Sequence, residues 1–135
     1  MELGDVKALA TGYTAAWCSQ DPARVASFFA EDGSLTINAG APSVGRAAIT
    51  AAAQGFMTAF PDMVVQMDTI ERAGEGFVYC WTLTGTNTGP GGTGRRVQIR
   101  GYEEWIVGPD GLIARSLGHF DEADYQRQLS AAGTK

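Results

Sequence analysis

The chain is poor in the residues that build metal and redox centres. Among 135 residues there is one histidine and there are two cysteines. Cys18 and Cys80 show no CxxC spacing, so neither a zinc site nor a dithiol redox motif is predicted, and no metal is expected. The two thiols read as a reduced, buried and inert pair in a cytoplasmic protein. Basic charge is also scarce. Ten Lys and Arg against fifteen Asp and Glu leave a net charge of −5 and a pI near 4.7. That balance argues against nucleic acid and against an anionic membrane surface as partners, since both need clustered Lys and Arg. The nearest approach to a basic patch, Arg95, Arg96 and Arg100, is followed at once by Glu103 and Glu104 and reads as a solvated strand edge. No apolar run approaches the roughly 20 residues that span a bilayer. Met1–Ala10 carries Glu2, Asp5 and Lys7 where a secretory signal would be apolar.

What is present suits one domain over residues 1–135, with a hydrophobic fraction of 44% and a charged fraction of 19%. Helices come first and strands later, which predicts an α+β fold. A first helix is expected from about Asp5 to Ser19, with Val6, Leu9, Tyr13, Ala16 and Trp17 on one stripe. Asp21-Pro22 is a helix start, Asp as N-cap and Pro at the first helical position, and predicts a short helix to Ala30. Asp32-Gly33 then turns into a strand over Ser34–Asn38. A third helix, about Arg46 to Ala59, stops before Phe60-Pro61 because a residue preceding proline resists the helical region. From there the chain alternates: strands at Met63–Arg72, Phe77–Thr86, Arg96–Val107 and Leu112–Phe120 are separated by glycine-rich turns, and a short helix follows to about Leu129. Long strands with short turns make an antiparallel meander.

Such a twisted sheet can curl over the helices without being filled. The face carrying Phe77, Tyr79, Trp81 and Leu83 has two aromatics with polar tips, which suits the wall of a ligand cavity as well as a core. On Arg96–Val107 the more apolar parity set is Val97, Ile99, Gly101, Glu103, Trp105 and Val107. Unless a bulge reverses the parity, Glu103 faces inward, where burial raises a carboxylate's proton affinity and makes it a candidate acid or base. On the last strand His119 and Asp121 are two apart and so share a face. Asp121 could orient the imidazole and raise its basicity, could itself be the base with the imidazole as donor, or could cap the C-terminal helix.

The stretches Trp17–Pro22, Phe29–Gly33, Gly45–Ile49, Phe60–Asp62, Leu83–Gly89, Gly94–Val97 and His119–Asp121 resemble, in order, the SnoaL-like polyketide cyclase branch of the nuclear-transport-factor-2-like superfamily. The resemblance implies a cone-shaped α+β barrel whose curved, mostly antiparallel sheet is closed by the N-terminal helices. It implies cofactor-independent acid/base chemistry on a carbonyl compound, an aldol cyclisation or related isomerisation. Asp121 falls on the acid/base residue of the family's cyclases. Asn87 stands where the family often has histidine, so His119 would have to supply the imidazole. A base of the ketosteroid isomerase type would fall on Ile37, and the third carboxylate of limonene-epoxide hydrolase on Gly118, so those two activities are not expected. Asp121, His119, Asn87 and Glu103 are therefore the candidate catalytic residues, and Tyr13, Trp17, Phe56, Tyr79 and Trp81 the candidate walls of a hydrophobic small-molecule site. The alternative is a binding domain without catalysis. Homodimerisation through the sheet's outer face, with Val65, Val78 and Ile106 exposed on it, is the partner expectation.

Overall fold

The computed structural model describes residues 2–130. Helix α1, Leu3–Cys18, buries Val6, Ala10, Tyr13, Ala16 and Trp17, the i, i+4, i+7 stripe of an amphipathic helix. Helix α2, Pro22–Ala26, begins as expected: the Asp21 carboxylate accepts the Ala23 backbone N–H at 3.2 Å. It is shorter than its sequence pattern suggests, because Phe29 already belongs to strand β1, Phe29–Ile37. The Asp32-Gly33 pair that reads as a turn lies inside this strand, at a bulge between Phe29 and Ser34. A two-residue strand β2, Ser43–Val44, precedes helix α3, Arg46–Ala59. Helix α3 buries Ile49, Ala53 and Met57 at four-residue intervals, and Arg46 Nε donates to the Phe29 carbonyl at 3.0 Å, tying it to β1.

The meander follows as β3 (Val64–Ala73), β4 (Gly76–Thr86), β5 (Arg96–Val107) and β6 (Ile113–Phe120), and helix α4 (Glu122–Ser130) ends the described chain. The six strands form one curved, unclosed sheet in the order β2-β1-β6-β5-β4-β3. All neighbours are antiparallel except β1 and β6, which are parallel. The architecture is α+β, with α1 and α3 on the concave side. Gln128 fastens helix α4 to β5: it accepts the Gln98 N–H at 2.7 Å and donates to the Gln98 carbonyl at 2.9 Å, as a neighbouring strand would.

Two surface expectations need correction. Val65 is buried rather than exposed on the outer face, because its side chain turns toward α1 and the sheet interior. Cys18 is exposed and Cys80 half-buried, so the thiols are not a buried pair. The Cys18 thiol lies 3.3 Å from both the carbonyl and the amide nitrogen of Val65, satisfying the free edge of β3. Among the described residues no helix is long and apolar enough to cross a membrane.

Candidate functional site

The strand registers set out the concave face as rows. Phe77, Trp105 and Ser116 lie side by side on β4, β5 and β6, then Tyr79, Glu103 and Gly118, then Trp81, Gly101 and Phe120. Two glycines make this arrangement possible. A Cβ on Gly101 would overlap the His119 carbonyl and the Trp81 ring, so Trp81 can lie across the sheet only because Gly101 has no side chain. A Cβ on Gly118 would reach Glu103 Cγ at 3.7 Å and the Thr36 carbonyl at 3.3 Å. Within the rows Tyr79 and Trp105, joined by Tyr13 from α1, form an aromatic cluster that fixes the floor. Tyr79 stacks on Trp105 with centroids 4.9 Å apart, and Tyr13 meets Trp105 edge-on at 5.2 Å and Tyr79 at 5.5 Å. Each such pair adds about 0.5–1.5 kcal/mol beyond its buried area.

In front of that floor lies a half-open cavity of about 60 Å3. Its wall is almost wholly apolar and includes Trp17, Phe56, Tyr79, Trp81 and Phe120, with Glu103 the one carboxyl on it. Four of the five expected wall residues are therefore on the wall, and the fifth, Tyr13, stands behind it. The space suits a small apolar group, or one end of a larger ligand projecting through the open side.

Glu103 is 7% exposed, and its two oxygens differ. Oε1 accepts three hydrogen bonds: from Ser116 Oγ at 2.7 Å, Trp105 Nε1 at 2.9 Å and the Tyr13 hydroxyl at 3.0 Å. Oε2 has only the long 3.3 Å approach of the same Tyr13 hydroxyl. The carboxyl is thus clamped by one oxygen while the other retains capacity for a proton. Burial raises its proton affinity above the ordinary carboxylate range, and the hydrogen bonds from Trp105, Ser116 and Tyr13 offset part of that rise. Burial, together with the charge of Glu103, also pushes the Tyr13 phenol well above its usual value. The Trp17 N–H tempers this, facing the phenol oxygen without reaching hydrogen-bonding geometry. Tyr79 is raised as well, chiefly by burial, with its hydroxyl 2.5 Å from Thr14 Oγ1. Both tyrosines therefore stay protonated and act as donors.

The remaining expected residues are not brought together on the cavity. His119 pairs with Tyr102 in the β5–β6 register, so its imidazole lies on the outer face. There Nε2 is 2.6 Å from Glu104 Oε2 and the ring packs on Tyr102 at 4.8 Å. Its place at the cavity edge comes with the strand, not with the imidazole. Asp121 is exposed, off the cavity wall, and accepts the Asp124 N–H at 3.0 Å as the cap of α4. Asn87 is buried, but in its own loop: Nδ2 donates to the Ala59 carbonyl at 3.1 Å and Oδ1 accepts the Thr93 N–H at 2.7 Å. The geometry thus offers His119, Asp121 and Asn87 no access to a ligand in this cavity. Ser116, which is fully buried and makes the shortest bond to Glu103, has no sequence signal beyond its parity with Gly118 and Phe120.

The family model described as the SnoaL-like domain matches residues 10–116. The chain belongs to the SnoaL-like family. No curated protein matches it. Similar solved structures include TsrD from Streptomyces laurentii, 21% identical over 97% of this chain and 98% of that one, with a TM-score of 0.82. A candidate SnoaL-like polyketide cyclase from Jannaschia sp. is 16% identical over 92% and 93%, TM-score 0.75. SalBIII, an epoxide hydrolase/cyclase-like enzyme of pyran ring formation in the polyether salinomycin, is 18% identical over 87% and 92%, TM-score 0.74. At these identities the likeness is one of fold.

Proposed function

We propose that this SnoaL-like domain is a cofactor-independent enzyme of the cyclase or isomerase kind, transferring a proton to or from a small, largely apolar carbonyl compound. The observation that carries the reading is Glu103: a carboxyl on the wall of an apolar cavity, held through Oε1 by three donors and left nearly free at Oε2. A buried carboxylate has a raised proton affinity, closer to neutral pH, where general acid/base catalysis is most effective. In an aldol cyclisation, Oε2 would take the proton α to one carbonyl. The resulting enolate carbon would bond to a second carbonyl carbon of the same molecule, and the new alkoxide would take the proton back from Glu103. Atoms and charge balance without a cofactor. The same fold occurs in a candidate SnoaL-like polyketide cyclase and in an epoxide hydrolase/cyclase-like enzyme, so it is a frame compatible with ring-forming chemistry.

The test follows the first half-step alone and needs no knowledge of the natural substrate. In D2O, exchange of α-protons of small ketones and 1,3-diketones is followed by NMR with the wild type and with Glu103→Gln. A positioned base contributes about 10²–10⁴-fold, so the variant should lose that factor. Equal rates in the two proteins would remove Glu103 from the chemistry.

A second reading, ligand retention without turnover, is favoured by one observation: Asp121, Asn87 and the His119 imidazole are engaged away from the cavity, which leaves beside Glu103 only the Tyr13 phenol, held protonated by burial. Ligand binding with no α-exchange above the Glu103→Gln background would select this reading.

A further inference from the structure

The wall of the cavity is a set of aromatic side chains around one carboxyl. Trp17, Phe56, Tyr79, Trp81 and Phe120 stand on it together with Glu103, and among the described residues no Lys or Arg does. Trp17 and Phe56 meet at an interplanar angle of 74°, Trp81 and Phe120 at 66°, so the rings enclose the space from several sides rather than stacking beneath it. The wall presents almost no hydrogen-bonding surface to the space. The Tyr79 hydroxyl is turned to Thr14, Glu103 Oε1 is taken by its three donors, and the indole nitrogens of Trp17 and Trp81 are covered. A volume of about 60 Å3, at about 10–15 Å3 for each water-sized group, holds about four or five non-hydrogen atoms, and the rest of a ligand can leave through the open side.

These features bear unequally on the classes of ligand. An anion would meet the negative faces of the rings and the carboxyl of Glu103. A primary ammonium would leave water with three N–H donors and find at most Glu103 Oε2 as an acceptor. A quaternary ammonium brings no donors. Its methyl groups spread the charge over an apolar surface that suits this wall, and the charge is attracted to the rings and, through space, to the carboxyl. A neutral tert-butyl group has the same shape and forgoes both attractions. We infer that the cavity is an aromatic cage for a methylated ammonium group of the size of a trimethylammonium head, seated among Trp17, Phe56, Tyr79, Trp81 and Phe120 with Glu103 as its counter-charge. The net charge of −5 favours the approach of a cation. This rests on the reading that the cavity is a ligand site, and not on Glu103 moving a proton. A carbonyl compound carrying such a head would satisfy both.

The test is a shape-matched series. Choline and 3,3-dimethyl-1-butanol differ only in the exchange of the charged nitrogen for carbon, and ethanolammonium keeps the charge without the methyl groups. Binding is measured by NMR titration of protein labelled with 15N at the tryptophan indoles, at pH steps from about 5 to about 9. At the alkaline end the wild type should bind choline about tenfold more tightly than the neutral isostere, and more tightly than ethanolammonium. The preference should grow with pH, because a bound cation favours the ionised form of Glu103. Tyr13 and Tyr79, the other titratable groups facing that carboxyl, are raised by burial and keep their protons over this range. The His119 imidazole lies on the outer face against Glu104. Glu103→Gln separates the two, since it should lower the preference and abolish its dependence on pH. Phe56→Leu keeps apolar bulk and removes one ring, so choline should weaken about two- to fivefold while the neutral isostere holds. The wild-type comparison decides the matter even if a variant does not fold. Equal or tighter binding of 3,3-dimethyl-1-butanol, or of ethanolammonium, would overturn the inference and leave the cavity a ligand site. A series in which no member shifts any cavity resonance would overturn it together with the ligand site itself.

Discussion

Replacing Glu103 in two ways separates its hydrogen bonds from its charge. Glu103→Leu removes the common acceptor of Tyr13, Trp105 and Ser116, all of them buried. A buried donor stripped of its partner costs about 1–3 kcal/mol, so the gross penalty is about 3–9 kcal/mol, set against a typical total stability of about 5–15 kcal/mol. Part is returned because a carboxyl no longer has to be desolvated, and the Ser116 hydroxyl can rotate to another acceptor where the Trp105 indole cannot. Glu103→Gln keeps an amide oxygen in the place of Oε1 and so retains the three bonds, but it cannot ionise. The comparison of wild type with Glu103→Gln therefore isolates the cost of the charge. The folded protein raises this carboxyl above its ordinary value of 4.5, so the folded state holds the proton more tightly than the unfolded chain does. The contribution of Glu103 to stability is then fully present below the unfolded value and is lost as pH rises toward and through the folded one. Urea denaturation at pH steps from acid to neutral should show the wild type losing ground to Glu103→Gln, by up to about 1.4 kcal/mol per pH unit between those two values. Glu103→Leu should be the least stable of the three at acid pH, where the wild type pays no charge penalty. A wild type that instead gains on Glu103→Gln with rising pH would mean that the three hydrogen bonds to Oε1 outweigh burial. The carboxyl would then be an ordinary anion, and the reasoning would fail.

Other substitutions probe the frame around it. Gly101→Ala places a methyl group against the Trp81 ring and the His119 carbonyl. It should lower stability by about 1–3 kcal/mol as an overpacked site and change the Trp81 indole resonance, read by denaturation and NMR. Asp121→Asn and His119→Ala should leave α-proton exchange near the wild-type rate, since neither side chain reaches the cavity. Loss of exchange in either would return the chemistry to the end of β6. Asp121→Ala should cost about 1 kcal/mol through the lost cap of α4, measured as a lower denaturation midpoint. Gln128→Ala removes the pair of bonds that fastens α4 to Gln98. Amide exchange at Gln98 should quicken as that edge of β5 opens to water.

Much of the frame could be read in the chain itself because its cues are local. The Phe60-Pro61 stop ends α3, and the glycine-rich turns on either side bound β5, whose inward parity set Val97, Ile99, Glu103 and Trp105 is buried. The segment 28–33 misleads because Phe28 and Phe29 fit a helical stripe as well as a strand, and the choice is made by a distant partner: β1 pairs in parallel with β6. The face of His119 was illegible for a related reason. Val107 pairs with Ile113 and Ile106 with Arg115, so one extra residue on β6 reverses its parity. Ile113 faces in, and so do Ser116, Gly118 and Phe120, which turns His119 out. Spacing along β6 alone points the imidazole wherever Ile113 points its side chain. The importance of Ser116 was hidden in the same way, since a small polar residue gains its role only from the carboxyl set beside it by the sheet.

The interior of this domain holds a carboxyl that keeps its proton to higher pH than an ordinary glutamate does. The most direct measurement is a pH titration of the Glu103 side-chain carboxyl carbon by 13C NMR, assigned by its absence in Glu103→Gln. The account predicts a midpoint clearly above 4.5, with the indole N–H of Trp105 reporting the same transition through its bond to Oε1. A midpoint at or below that value would contradict it.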